Sequence, residues 1–207
     1  TNNAIKLGIG MVHQHFTLAE NLTVLENIII GRQSIFSLSL PKRQARVKIL
    51  ELSKKFGLPI NPDELVANLS VSEKQRIEIL KTLFLDCKLL ILDEPTAALT
   101  PQETDALFST IRNMIETGLS VILISHKLNE ILAVSDRIIV LRNGSSVGEI
   151  ATHSVDRKKI AEMIVGKKID YPQKKKIPRK SKVLSLVDVS YNKTDAPNLN
   201  KVNLDLY

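Results

Sequence analysis

The feature that most constrains this chain is an apolar tetrad running directly into acid: Leu89-Leu90-Ile91-Leu92, then Asp93-Glu94-Pro95-Thr96. Two more tetrads, Val121–Ile124 and Ile138–Leu141, have the same character. Short all-apolar runs suit parallel strands buried on both faces. Between the first two lies a helix with its start written out. Thr100-Pro101-Gln102-Glu103 supplies a capping Thr, a Pro at the first helical position and a Glu at the third. Leu107, Ile111, Met114 and Ile115 follow at helical spacing, and Gly118 closes the segment. Strand, helix, strand in this order predicts a right-handed crossover and an α/β sheet. Residues 41–87, by contrast, read as purely helical, with Val47, Ile49, Leu50 and Leu52 in one stretch and Ile77, Leu80 and Phe84 in another. A helical insert therefore sits beside a parallel sheet, and 1–166 holds no internal repeat.

In open α/β sheets ligands bind beyond the carboxyl ends of the strands. The first tetrad ends in Asp93 and Glu94, and the second in Ser125-His126. Two carboxylates and an imidazole thus converge on one edge. One carboxylate can hold Mg²⁺, a hard cation that shares phosphate oxygens. Its neighbour can polarise a water for in-line attack on a γ-phosphate, while the imidazole contacts phosphate. The plainer alternative is that Asp93 and Glu94 cap a turn and His126 opens a helix. Upstream, Ser70 and Glu73 in Leu69-Ser70-Val71-Ser72-Glu73-Lys74-Gln75 fit a capping box. The amides of that helix end can bind an anion, or can simply be well capped.

Charge locates the main boundary. Residues 167–182 carry eight Lys or Arg and one Asp, which accounts for the whole net charge of +7. The other residues balance at 21 basic and 21 acidic. With Pro172, Pro178 and a Lys triplet, this segment reads as a solvated linker. A neutral domain with 4% aromatic residues and no Trp offers no stacking platform for bases. After the linker, Val183–Val189 and the alternating Val202, Leu204 and Leu206 predict two strands joined near Asp195–Asn198. A lone hairpin is marginal in water, so 183–207 reads as the start of a second domain. A single cysteine, Cys87, fits a reducing compartment.

Taken together, these motifs resemble the nucleotide-binding domain of ABC transporters over 1–166, a P-loop NTPase-like α/β fold. Gly10-Met11-Val12-His13-Gln14-His15-Phe16 resembles the family's Q-loop, which implies that Gln14 senses Mg²⁺ and the γ-phosphate. Leu69–Gln75 resembles the signature motif, implying contacts from Ser70, Ser72 and Glu73 to ATP held by an opposite domain. Leu89–Glu94 resembles Walker B, with Asp93 on Mg²⁺ and Glu94 as catalytic base; Ala97–Leu99 falls in the D-loop and His126 in the H-loop. The helical subdomain, about 17–87, is the part that docks on transmembrane permease subunits in this family. GMVHQHF, NLTVLENIIIG, LSVSEKQRIEILK and DEPTAALTPQE are similar to importers of simple sugars and nucleosides, which carry tandem nucleotide-binding domains. The resemblance thus implies ATP and Mg²⁺ as cofactors, a second nucleotide-binding domain and a solute-binding lipoprotein as partners, and a peripheral place on the cytoplasmic face of the cell membrane. It makes Tyr191 either an adenine-stacking aromatic of the second domain or a Tyr packed at a strand end.

Two departures shape the expectation. No G-x-x-x-x-G-K-[ST] occurs in the 207 residues, and that loop supplies the backbone nest and the Lys for the phosphates. The chain reads as a fragment, expected to bind ATP poorly alone. Ser72 also stands where the signature carries Gly, and its Cβ is expected to crowd a phosphate approach. Two other readings compete with an importer ATPase: a soluble ABC-type ATPase acting on nucleic acid or the ribosome, and a degenerate, non-hydrolysing module.

Overall fold

The computed structural model describes residues 2–30, 42–168, 181–192 and 198–207. Most of the predicted linker (169–180) and the expected hairpin loop (193–197) lie outside these residues. The chain divides into two compact units, Thr1–Lys167 and Lys168–Tyr207.

In the first unit a short helix α1 (Asn2–Lys6) leads to strand β1 (Ile9–Val12). Three helices follow: α2 (Val24–Ile30), α3 (Lys42–Phe56) and α4 (Val71–Phe84). Strand β2 (Leu89–Asp93), helix α5 (Pro101–Glu116) and strand β3 (Ser120–Ile124) form the predicted crossover. The three strands make a parallel sheet in the order β1-β2-β3, with Val12 opposite Leu92 and Asp93 opposite Ile124. Helix α6 (Leu128–Val134), the hairpin β4 (Arg137–Arg142) and β5 (Ser145–Ala151), and helix α7 (Arg157–Val165) complete the unit.

Alternation along the sheet explains where the core lies. Val12, Leu90 and Leu92 point to one face and join Ile79, Leu80, Leu83 and Phe84 of α4 and Leu107, Phe108, Ile111 and Met114 of α5 in one buried cluster. That close packing selects glycine at position 10, where a Cβ would lie 2.0 Å from the Thr82 methyl. The opposite face carries Met11, Ile122 and Ile124, all exposed. The expectation of strands buried on both faces is therefore corrected for Val121–Ile124, because the described residues cover only one side of β3.

It is corrected more fully for Ile138–Leu141. Strand β4 is antiparallel to β5, outside the parallel sheet. Ile138 and Val140 pack on Ile160 of α7, whereas Ile139 and Leu141 are 58% and 71% exposed. Residues 41–87 also depart from a purely helical reading. Residues 57–70 form an irregular connection with one 3₁₀ turn (Val66–Asn68), and Thr23 bridges to Leu65. Pro59 and Pro62 lack the N–H that a helix needs there; the Pro62 and Glu64 carbonyls accept from the Leu25 and Val24 amides instead.

The second unit is a hairpin of β6 (Leu184–Tyr191) and β7 (Leu199–Leu206), paired antiparallel as expected. Tyr191, exposed, closes β6 opposite Leu199.

Candidate functional site

The two polar strand exits are neighbours because β2 and β3 are. Asp93 is the last residue of β2 and is half-buried. Glu94 follows with φ of +49°, a region that costs a non-glycine residue about 1–2 kcal/mol. The turn is held from β3, where the Ile124 carbonyl accepts from the Glu94 amide at 3.0 Å. One carboxylate oxygen of Glu94, Oε1, then accepts from His126 Nδ1 at 2.7 Å. The other, Oε2, is buried and has no hydrogen-bond partner among the described residues. Glu94 is mostly covered while His126 is 75% exposed, so the pair joins a shielded carboxylate to an open imidazole. A buried acceptor with a free lone pair is a place for a water or ligand donor.

The Q-loop-like segment borders the same place. Gln14, His13 and Phe16 share a cavity of about 230 Å³ with Val71, Gln75, Glu94 and Pro95. The exit of this segment is pinned by Glu78 of α4, which accepts from the Thr17 amide at 2.7 Å and the Thr17 hydroxyl at 2.9 Å. Gln75 Nε2 donates to the Pro95 carbonyl at 2.6 Å, so α4 is tied to the Glu94 turn through a buried amide.

Ser70, Ser72 and Glu73 occupy a different position. The capping box forms in full: the Ser70 amide and hydroxyl donate to Glu73 at 2.9 and 2.6 Å, and the Glu73 amide donates to Ser70 Oγ. The Ser70 hydroxyl, then its amide, hold the Glu73 carboxyl below the usual glutamate range. The Ser72 hydroxyl lies 3.3 Å from Ser70 Oγ and also bonds Glu103, whose carboxyl is held low first by the Thr100 amide and then by Ser72. None of these three residues lines the Glu94 cavity. Ser72 lines a second cavity of about 530 Å³ between α4 and α5.

Sequence reasoning missed Glu78 and Glu130. Both are buried carboxylates, and each carried a signal. Glu78 interrupts the apolar pair Ile77 and Ile79, and Glu130 stands four residues past His126. Gly8 and Gly10, a glycine pair near the start, serve a turn and a packing contact.

Known proteins resemble this chain in sequence and in fold. A sequence profile of the family described as ABC transporter matches residues 1–97. The chain is 44% identical over 190 residues to NupA of Lactococcus lactis subsp. cremoris, a nucleoside import ATP-binding protein, covering 91% of this chain and 38% of that one. It is 42% identical over 197 residues to TsgD13 of Haloferax volcanii, a glucose import ATP-binding protein, covering 81% and 36%. The chain thus spans little more than a third of the length of these relatives. Its fold is similar to that of MJ1267 in the ADP conformation, an ATP-binding cassette of an ABC transporter, with a TM-score of 0.66 and 23% identity over 80% of this chain and 71% of that one.

Proposed function

The chain belongs to the ABC transporter ATP-binding family, and on that premise we propose that it serves in a subunit coupling ATP hydrolysis to import of nucleosides or simple sugars. The observation that carries this reading is the Glu94–His126 contact, with the free Oε2 of Glu94 buried at the sheet edge. Glu94 is the general base: its unpaired oxygen accepts a proton from the attacking water while Oε1 stays anchored to the imidazole. His126 fixes that carboxylate and presents its outer, exposed edge to phosphate.

The donor set fits Mg²⁺. Asp93 and Gln14 offer hard oxygen ligands, the kind a divalent cation shares with phosphate. When bound, Mg²⁺ and ATP supply the transferable γ-phosphate and the charge neutralisation it needs. Ser70, Ser72 and Glu73, outside the Glu94 cavity, contact nucleotide held by a second domain, so two such domains complete each other's sites.

In this proposal, residues 1–166 are a nucleotide-binding domain with its helical subdomain at about 17–87. Residues 167–182 are a tether, and 183–207 begin a second nucleotide-binding domain. The helical subdomain docks on permease subunits, a solute-binding lipoprotein delivers the solute, and the protein lies peripherally on the cytoplasmic membrane face. No helix among the described residues is long and apolar enough to cross a membrane. The import names of the relatives weigh against a nucleic-acid or ribosome role. The test is ATP hydrolysis by the full-length protein assembled with its permease. Glu94→Gln should lower turnover about 10²–10⁴-fold while ATP binding persists. Unchanged turnover would overturn the assignment of the base.

A further inference from the structure

Next to the Glu94–His126 pair in the chain lies a largely buried polar cluster that, among the described residues, makes no hydrogen bond to either side chain. Glu130, in the first turn of α6, is buried. Its Oε2 accepts from the Thr96 hydroxyl at 2.5 Å and the Ser125 hydroxyl at 3.2 Å. Its Oε1 meets Lys127 Nζ at 3.0 Å. Lys127 Nζ also donates to the Thr96 carbonyl at 3.0 Å, and the Lys127 amide donates to Ser125 Oγ at 3.1 Å. Thr96 is fully buried.

The connectivity is the point. Thr96 is two residues past Glu94, and Ser125 and Lys127 flank His126. One carboxylate therefore fastens both strand exits, each through side chains adjacent to a site residue. Hydrogen bonds to a carboxylate are stronger than neutral ones, and the burial of Thr96 and Glu130 shields their contact from competing water. Glu94 needs such a brace, since its positive φ lies outside the comfortable range for its residue type.

We propose that Glu130 is a positioning residue that sets the Glu94–His126 geometry by clamping the two turns together. Resting on the ATPase reading, the inference adds a residue that never touches nucleotide. Truncation to Ala removes the shared acceptor of the Thr96 and Ser125 hydroxyls, leaves Lys127 with the Thr96 carbonyl, and lets the turns separate. A displacement of about 1 Å at a reacting group can cost about 100-fold in rate. Glu130→Gln keeps an oxygen for both hydroxyls and loses the charge and the acceptor toward Lys127, which retains the Thr96 carbonyl.

The experiment compares full-length wild type, Glu130→Ala and Glu130→Gln, assembled with permease, for kcat and KM of ATP hydrolysis. Glu130→Ala should lower kcat roughly 10–100-fold with KM within about twofold, and Glu130→Gln should recover most of the loss. An unchanged kcat in Glu130→Ala, or a change confined to KM, overturns the proposal. A second readout stands apart from turnover: the imidazole tautomer of His126 in long-range ¹H–¹⁵N spectra of this chain in mildly alkaline buffer. Wild type and Glu130→Gln should show the proton on Nδ1, and Glu130→Ala should shift it toward Nε2. A wild type that hydrolyses no ATP defeats the ATPase reading alone, and the tautomer then decides for Glu130. An Nδ1 proton retained in Glu130→Ala overturns the clamp.

Discussion

Strands β2 and β4 begin from nearly the same composition and end in different environments. Each has four consecutive apolar residues, Leu89–Leu92 and Ile138–Leu141. Strand β2 is hydrogen-bonded on both sides and sends Leu90 and Leu92 into the main core. Among the described residues strand β4 pairs only with β5, and every second residue is open to solvent. Their exits differ in the same way. Strand β4 leaves through Asn143 and Gly144, with φ of +50° and +75°, the residues that a two-residue hairpin turn favours. Strand β2 leaves through Glu94, also at positive φ, a residue type with no such freedom. The left-handed turn is easy where it only reverses the chain, and strained where it aims a carboxylate at His126.

Glu94→Gly is the strongest way to break this comparison. Relief of about 1–2 kcal/mol of strain, less about 0.5–1 kcal/mol for the flexibility of glycine, leaves stability unchanged or raised by up to about 1.5 kcal/mol. ATP turnover of the full-length protein should nevertheless fall about 10²–10⁴-fold. Thermal denaturation alongside the ATPase assay checks both halves, and a clear loss of stability would remove strain from the account. Leu92→Ala tests the buried strand next. It opens a cavity in the cluster under α4 and α5, and should cost about 2–5 kcal/mol by urea denaturation of this chain. A cost below 1 kcal/mol would mean that β2 is no better packed than β4.

Much of this was legible because the information is local. The capping boxes at Ser70–Glu73 and Thr100–Glu103 and the Pro at the start of α5 form as written, since spacing within one turn fixes them. The crossover from β2 through α5 to β3 followed from periodicity. The convergence of Glu94 and His126 followed from it as well, because a parallel pair places both carboxyl ends on one edge. What the sequence hid depends on which elements lie alongside. Nothing within Ile138–Leu141 says that its neighbour is antiparallel, or that its second face stays open. The signal at Glu130 was weak for a related reason. A charge in a short helix is usually solvated, and only the juxtaposition of Thr96, Ser125 and Lys127 makes it a buried brace.

Ile139→Thr is the smallest expected effect and the sharpest for β4. Ile139 is more than half exposed and pairs with Glu149 across the hairpin. Thr keeps the β-branch that suits a strand and loses apolar surface that is mostly in water already. Stability should therefore stay within about 0.5 kcal/mol, measured by urea denaturation beside Leu92→Ala. A cost approaching that of Leu92→Ala would show that the second face of β4 is covered in solution. The two strands would then differ in pairing alone, and exposure would no longer separate them.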